Sequence, residues 1–356
     1  MTAASVDRVA TASAATALPV PSVDAPPATQ PITWPHRHLL DLDAVSWPEI
    51  ELVMRTSQAM KEVLARPIAR VPALRGTAVT ILFYEASTRT RVSFEVAAKN
   101  LSADVVNIAA ASSSVSKGES LIDTIRTIEA LGARMIVIRH PSSGAAHLAA
   151  EHFSGSILNG GDGWHAHPSQ ALLDLFTLRQ HLPGGDLRGR KVVILGDVLH
   201  SRVARSNIWS LTAAGADLWL CAPATLLGGF ERWAAVSPGV PGHGRFRVTS
   251  DVTAALRDAD VVMALRLQRE RMAAGLLPSL REYAARYCLT LERLALARPD
   301  ALVMHPGPMN EGIEIAPEVA DHPRSVITQQ VTNGVAVRMA LLYLLAGAGA
   351  AEATGG

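Results

Sequence analysis

Five consecutive residues combine three hydroxyl groups with two guanidinium groups, a combination suited to binding an anion. They are Ser87-Thr88-Arg89-Thr90-Arg91, which follow an apolar run from Ala78 to Phe83 and open an amphipathic stretch that ends near Asn100. A helix start presents unpaired backbone N–H groups and a partial positive charge. The segment therefore predicts a phosphate site. Taken alone, it also fits a helix whose Ser87 is only the N-cap and whose arginines are solvated.

Other polar side chains follow further strand-like runs, at the end of a parallel sheet where ligands bind. These groups are three arginines, one histidine and two glutamines, and a Pro-Gly-Pro loop accompanies them. They are Arg139, His167, Gln170, Arg202, Arg266, Gln268, Pro306, Gly307 and Pro308. A separate hydroxyl-rich segment, 112–120, contains Ser113 and Lys117. It fits a mobile loop that carries one lysine, and equally an ordinary solvated loop.

The elements that must position these groups alternate between strand-like and helical stretches from Trp34 onward. This alternation predicts an α/β fold with two doubly wound parallel sheets joined by helices. The strand-like runs of the first sheet are Val79–Phe83, Val105–Ile108, Met135–Ile138 and Ser156–Asn159. Those of the second are Lys191–Leu195, Asp217–Cys221, Val261–Leu265 and Leu302–His305.

Two helices are predicted to connect these sheets. One covers His167 to His181, between the sheets, and the other covers Val326 to Leu345 and returns to the first domain. The resulting division is a disordered Ala/Pro-rich tail (1–33), a first domain (34–168 with 325–346), a connecting helix (169–184), a second domain (185–324) and a flexible C-terminal tail (347–356).

The composition excludes several classes of protein. The 33 basic and 32 acidic residues give no large net charge that would attract nucleic acid or an anionic membrane, and no uninterrupted apolar run reaches about 18 residues. Cys221 and Cys288 form no CxxC, no GxGxxG or GxxxxGK[ST] loop occurs, and no secretory signal opens the chain. We therefore expect a cytoplasmic protein without a bound metal or cofactor.

Together, the motifs resemble those of the aspartate/ornithine carbamoyltransferase family, and within it the aspartate branch. The resemblance extends from about residue 34 to 345 and depends on Ser-Thr-Arg-Thr-Arg, Ser-Lys-Gly-Glu, His-Pro-x-Gln, Arg-x-Gln-x-Glu-Arg and His-Pro-Gly-Pro, in this order. It implies a transferase that moves the carbamoyl group of carbamoyl phosphate to L-aspartate, an early step of pyrimidine biosynthesis. The first domain would bind carbamoyl phosphate and the second would bind aspartate.

The resemblance also implies a role for each matched position. Carbamoyl phosphate would be held by Ser87, Thr88, Arg89, Thr90, Arg139, His167, Gln170, Pro306 and Gly307, with Ser113 and Lys117 from a neighbouring subunit of a homotrimer. Aspartate would be held by Lys117, Arg202, Arg266, Gln268 and Pro308. The catalytic set would be Arg89, Thr90, Lys117, Arg139 and His167. A regulatory chain or a dihydroorotase partner is a further possibility.

The residues agree with this chemistry. A tetrahedral intermediate needs donors at its oxygen, which Thr90, Arg139 and a neutral His167 would supply, and the two carboxylates of aspartate need two guanidinium forks. No general base is evident, so the departing phosphate would take the amine's proton. Two alternatives stay open, a non-catalytic structural or regulatory relative and a transferase for another amine. Glu311 replaces an arginine common in relatives, which leaves that arginine's contact in doubt.

Overall fold

Two parallel sheets form the framework of the chain, as the sequence predicts. The computed structural model describes residues 33–109, 118–236, 244–272 and 275–354. The first sheet contains β1 (Ala78–Phe83), β2 (Asp104–Ala109), β3 (Met135–His140) and β4 (Ser156–Asp162), in the order β2-β1-β3-β4. The second contains β5 (Lys191–Gly196), β6 (Asp217–Cys221), β7 (Arg245–Thr249), β8 (Val261–Leu265) and β9 (Leu302–Met304), in the order β7-β6-β5-β8-β9.

Helices connect and cover these strands. They are α1 (Trp47–Leu64), α2 (Thr88–Asn100), α3 (Leu121–Ala130), α4 (Ala145–Glu151), α5 (Pro168–His181), α6 (Arg202–Ala213), α7 (Phe230–Val236), α8 (Val252–Leu256), α9 (Leu280–Tyr287), α10 (Leu291–Leu294), α11 (Pro317–Ala320) and α12 (Ile327–Thr354). Short 3₁₀ turns occur at Pro72–Leu74, Pro183–Gly185, Ala224–Leu226 and Arg269–Arg271.

The strands form where apolar runs can be buried on both faces. Every residue of β8 is buried, and β1 is buried from Val79 onward. Near-continuous burial is typical of parallel sheets covered by helices. All eight predicted strands are present, and their ends shift by at most three residues, the largest shift being at β4, which extends to Asp162. The predicted strand Leu302–His305 ends at Met304, because His305 already belongs to the loop of the cavity described below.

One strand, β7, escaped prediction. Its sequence is Arg-Phe-Arg-Val-Thr, with Arg245 and Arg247 exposed, and it lies at the edge of the second sheet beside β6. An edge strand buries few of its side chains, so its apolar signal is weak.

The C-terminal helix returns to the first sheet, as predicted. Helix α12 packs against α1, α2 and α5, and one cluster of buried side chains extends from Val79 in the first sheet to Ile194 in the second. The helix continues to Thr354, beyond the predicted end at Leu345. His167 is the N-cap of α5, and the helix proper begins at Pro168.

Part of α12, Ile327–Ala348, is long and apolar enough to cross a membrane by length and composition alone. Within that stretch 61% of the tested window is buried inside the protein. This degree of burial is typical of a core helix of a folded domain. The segment has the mean hydropathy of a membrane span even though polar residues interrupt its apolar run. The predicted N-terminal tail, apart from Thr33, lies outside the described residues, and the domain boundaries stay a prediction.

Candidate active site

One cavity of about 570 Å³ lies where the carboxyl ends of both sheets meet. Thirteen of the predicted site residues line it: Ser87, Thr88, Arg89, Thr90, Arg139, His167, Gln170, Arg202, Arg266, Gln268, Pro306, Gly307 and Pro308. Ser113 and Lys117 lie outside the described residues. The structure therefore brings together residues that are up to about two hundred positions apart in the sequence, whose individual roles stay predictions.

The start of α2 forms one wall of the cavity. Ser87 is its N-cap in an extended conformation, and its hydroxyl makes no capping hydrogen bond, whereas Ser201 at the start of α6 caps the N–H of Ala204. The Ser87 hydroxyl and the first backbone N–H groups of α2 can therefore face a ligand together. Thr90 is buried in the same turn.

Arg89 extends from this turn toward the Pro-Gly-Pro loop. Gly307 has φ +64°, and a Cβ atom at this position would lie 2.8 Å from Arg89 Cζ. Only glycine allows such an approach together with this backbone conformation. Burial, followed by the charge of Arg266, lowers the pKa of Arg89 below its ordinary value. The two chain segments thus enclose the cavity with the guanidinium between them.

Hydrogen bonds fix the loop that contains Gly307. His305 Nδ1 accepts from the Gly307 N–H at 2.7 Å, so Nε2 carries the proton toward Glu314 Oε1, 3.2 Å away. The backbone N–H of His305 donates to Gln330 Oε1 of α12 at 3.0 Å. Both His305 and Glu314 are buried. This loop is therefore held from two sides.

Arg139 and His167 lie deeper in the cavity. Arg139 Nη1 donates to the Gly160 carbonyl at 3.1 Å, and burial, then Arg202, lowers the pKa of Arg139 to about 9. Burial, then Arg139 and Arg202, lowers the pKa of His167 well below its usual value. The imidazole is therefore neutral at physiological pH and offers one N–H donor. Its backbone N–H donates to Ser206 Oγ at 2.9 Å.

The second sheet contributes the remaining predicted groups. Arg202, the first residue of α6, is buried and donates from Nη1 to the Gly163 carbonyl at 3.2 Å. Arg266 follows β8 and forms an ion pair with Glu270. The Gln268 N–H donates to Asp197 Oδ2, and its Nε2 donates to the His200 carbonyl, each at 3.1 Å.

Glu85 is a cavity residue that the sequence reasoning missed. It pairs with Arg139 at 3.1 Å and also with Arg202 and Arg271, so one carboxylate joins three guanidinium groups from both sheets. Burial would raise its pKa, but Arg202, then Arg139, hold the pKa below its ordinary value. A usable signal was an acid in the short turn between β1 and the Ser-Thr-Arg-Thr-Arg segment.

Arg338 and Ser93 were also missed. Arg338, on α12, is buried beside the cavity, donates to Ser93 Oγ at 2.8 Å and lies over the Phe94 ring. Burial lowers its pKa to about 10, which leaves it charged. Among the residues that the structure describes, six arginines and two acids, Glu85 and Glu270, line the cavity. This excess of positive charge suits a ligand with several negative charges.

A cluster of three residues and the separate residue Glu311, all outside the cavity, concern other sequence predictions. His147, Asp162 and His165 place potential ligand atoms within 4.8 Å of one another. Asp162, however, already accepts from the Gly144 N–H and Asn159 Nδ2, each at 2.7 Å, so its carboxylate stabilises the turn. Glu311 is exposed and does not line the cavity.

Two family models and several known proteins match most of the chain. A model described as "Aspartate/ornithine carbamoyltransferase, carbamoyl-P binding domain" matches residues 37–180, and one described as "Aspartate/ornithine carbamoyltransferase, Asp/Orn binding domain" matches 188–345. The chain is 60% identical, over 311 residues, to an aspartate carbamoyltransferase catalytic subunit of Roseiflexus sp. (strain RS-1). The alignment covers 87% of this chain and 95% of that protein.

Two solved structures share the fold of this chain. The Trypanosoma cruzi aspartate transcarbamoylase in complex with carbamoyl phosphate and aspartate superposes with a TM-score of 0.74 at 29% identity, covering 85% of this chain and 94% of that one. Ornithine carbamoyltransferase from Pyrococcus furiosus superposes with a TM-score of 0.76 at 27% identity, covering 88% and 98%.

Proposed function

Because this chain belongs to the aspartate/ornithine carbamoyltransferase family, we propose that it transfers the carbamoyl group of carbamoyl phosphate to the amine of L-aspartate. The products are N-carbamoyl-L-aspartate and phosphate. One observation supports this most directly: an arginine-rich cavity joins the start of α2 to Arg202, at the start of α6, and Arg266, which follows β8. The reaction places two anionic substrates side by side, which such a cavity suits.

The carbamoyl phosphate half of the site consists of the start of α2 and the deeper donors. Ser87, Thr88 and Arg89 bind the phosphate, together with backbone N–H groups of the helix. Thr90, Arg139 and His167 direct donors to the carbonyl oxygen. Gln170, Pro306 and Gly307 lie at the cavity wall beside the carbamoyl group. This assignment extends the roles implied by the sequence motifs.

The acceptor half favours aspartate over ornithine. Arg202 and Arg266 supply one guanidinium fork for each carboxylate of aspartate, while Gln268 and Pro308 line the same region. Ornithine would bring a second ammonium group into a cavity whose described lining already contains six arginines and two acids. Repulsion there would disfavour it.

The chemistry follows from these positions. The aspartate nitrogen attacks the carbamoyl carbon, and the carbonyl oxygen gains negative charge in the tetrahedral intermediate. Thr90, Arg139 and the N–H of His167 stabilise that charge. The C–O bond to phosphate then breaks, and the departing phosphate accepts the proton that the amine loses. The protein contributes orientation and electrostatic stabilisation, and no protein base is required.

A homotrimer with shared active sites is part of the proposal. The edge strand β2 exposes Val106, and α2 beside it exposes Val92 and Val96. An exposed edge with apolar neighbours is suited to contact with another copy of the chain. Ser113 and Lys117 follow β2 in the sequence and would enter the neighbouring site. The cytoplasm is the proposed location, and a regulatory or dihydroorotase partner stays an expectation.

Mixed variants test the shared site. A Lys117→Ala chain and an Arg89→Ala chain, each inactive alone, should recover part of the activity when reassembled together, because one site in the mixture then has both residues. Native mass spectrometry verifies that mixed trimers have formed. Mixed trimers without recovered activity would contradict the sharing of sites.

Carbamoyl transfer to L-aspartate, measured as N-carbamoyl-L-aspartate, tests the function itself. We expect turnover that N-(phosphonacetyl)-L-aspartate inhibits, and little or none when ornithine or putrescine replaces aspartate. Tight binding of the inhibitor without turnover would favour a non-catalytic relative. Turnover with another amine alone would refute the assignment of aspartate.

A further inference from the structure

Asp174 is a fully buried carboxylate, one helical turn after Gln170 on α5. It accepts from three side-chain amides: Gln170 Nε2 at 3.0 Å, Gln330 Nε2 at 2.7 Å and Asn207 Nδ2 at 2.9 Å. We propose that Asp174 fixes the amide orientation of Gln170, so that the Gln170 oxygen faces the carbamoyl NH₂ group and selects carbamoyl phosphate over other acyl phosphates. The inference rests on the proposed function and deepens it.

The orientation follows from the donors and acceptors available. The two ends of a glutamine amide are nearly equal in size, so packing alone does not distinguish oxygen from nitrogen. An ionised carboxylate can only accept, and the nitrogen of Gln170 must therefore face Asp174. Burial raises the pKa of Asp174 to about 6, which leaves it ionised at neutral and alkaline pH.

Gln330 helps to keep Asp174 in its role as an acceptor, because hydrogen bonds fix both the oxygen and the nitrogen of the Gln330 amide. Its oxygen accepts from the His305 N–H at 3.0 Å, and its nitrogen donates to the same Asp174 oxygen that Gln170 uses. A backbone N–H can only donate, so Gln330 cannot reverse. Asp174 Oδ1 thus receives two hydrogen bonds and keeps its role as an acceptor.

The consequence concerns the acyl group. With its nitrogen held by Asp174, Gln170 presents its oxygen to the cavity that it lines. Carbamoyl phosphate ends in an NH₂ group that can donate to this oxygen, while acetyl phosphate ends in a methyl group that cannot. A reversed amide would set two NH₂ groups against each other. Asp174 is therefore a positioning residue that acts through Gln170.

The Asp174→Ser variant tests this role. The shorter side chain leaves room for water, which can donate or accept and so allows Gln170 either orientation. We compare kcat/KM for carbamoyl phosphate with the inhibition constants of acetyl phosphate and inorganic phosphate at pH 8. The value of kcat/KM should fall about tenfold, as expected for one lost hydrogen bond, while both inhibition constants change less than about twofold.

Thr177→Val is the matched control. Thr177 is buried on the same helix and accepts from Asn333 of α12 at 3.0 Å, so the variant also loses a bond between α5 and α12 but leaves Gln170 untouched. Its ratio of carbamoyl to acetyl phosphate recognition should equal that of the wild type. Parallel losses for all three ligands in Asp174→Ser would overturn the proposal.

A charge-exchanged pair supplies an independent test. In the double variant Asp174→Asn with Asn207→Asp, the amide introduced at position 174 donates from its nitrogen to the carboxylate introduced at position 207, and its oxygen still faces Gln170. Selectivity should then match the wild type, and its loss would refute the inference even if Asp174→Ser did not fold. A wild-type enzyme without carbamoyl transfer would instead refute the proposed function.

Discussion

The close approach of Gly307 to Arg89 gives a sharp prediction for the Gly307→Ala variant. The new Cβ would lie 2.8 Å from Arg89 Cζ and 3.0 Å from both terminal nitrogens. Favourable contacts between heavy atoms begin near about 3.5 Å, so the guanidinium must withdraw by roughly 0.5–1 Å. The end of an arginine side chain can move at little cost in stability. Its displacement, however, removes it from the position proposed for binding the phosphate.

Two separate magnitudes follow. Alanine at φ +64° costs about 1–2 kcal/mol of folding free energy because of the left-handed backbone conformation. A displacement of about 1 Å in a positioning group costs up to about 100-fold in rate, so we expect kcat/KM for carbamoyl phosphate to fall about 10- to 100-fold.

Gly312→Ala is the matched control, because Gly312 has φ +78° and nothing lies within 4 Å of its added Cβ. Both variants should lose similar stability in thermal unfolding, while only Gly307→Ala loses most of its activity in steady-state assays with carbamoyl phosphate varied. Equal activities in the two variants would show that the position of Arg89 against the loop does not matter for catalysis.

Three further predictions concern charges. Glu85→Gln should raise the KM for aspartate about tenfold, because Arg202 and Arg271 lose the carboxylate that positions them, while exposed Glu282→Gln should leave it unchanged. The depressed pKa of His167 means that kcat/KM should show no histidine ionisation near pH 6.5. Below about pH 6.5 the unfolded chain binds a proton at His167, whereas the native protein does not. The free energy of unfolding should therefore decrease as the pH falls below 6.5, and this decrease should be smaller in His167→Gln. Burial raises the pKa of Asp41 to about 6, so its ionised form destabilises the fold above that pH. Asp41→Asn should therefore raise the free energy of unfolding at pH 8 by at most about 3 kcal/mol, measured as a higher unfolding temperature. If this stabilisation did not become smaller toward pH 4, the burial of an ionised Asp41 would not be its cause.

The sequence predicts the parts of the fold that depend on apolar runs and the parts of the site that depend on strand ends. Buried strands such as β8 contain continuous apolar residues, and Arg202 and Arg266 stand where a parallel sheet places its ligand groups. The edge strand β7 was missed because its alternate residues are exposed arginines.

Glu85 and Arg338 were missed for a different reason. The role of an acid in an arginine-rich cavity depends on which arginines it contacts. Arg202, one of the partners of Glu85, is 117 residues away in the sequence. Arg338 is one charge within a long apolar helix, and its burial beside Ser93 follows from how α12 packs. Local patterns in a sequence contain no information on such pairings, which tertiary packing decides.

The return of α12 also has a consequence for biosynthesis. Gln330 and Arg338 line the same cavity as the start of α2, and Arg338 contacts Ser93 across 245 residues of chain. A ribosome-bound chain can fold its first sheet early, but its cavity is incomplete until α12 leaves the exit tunnel. A chain interrupted before α12 therefore lacks Gln330 and Arg338 at the cavity, and we expect it not to bind the proposed substrates.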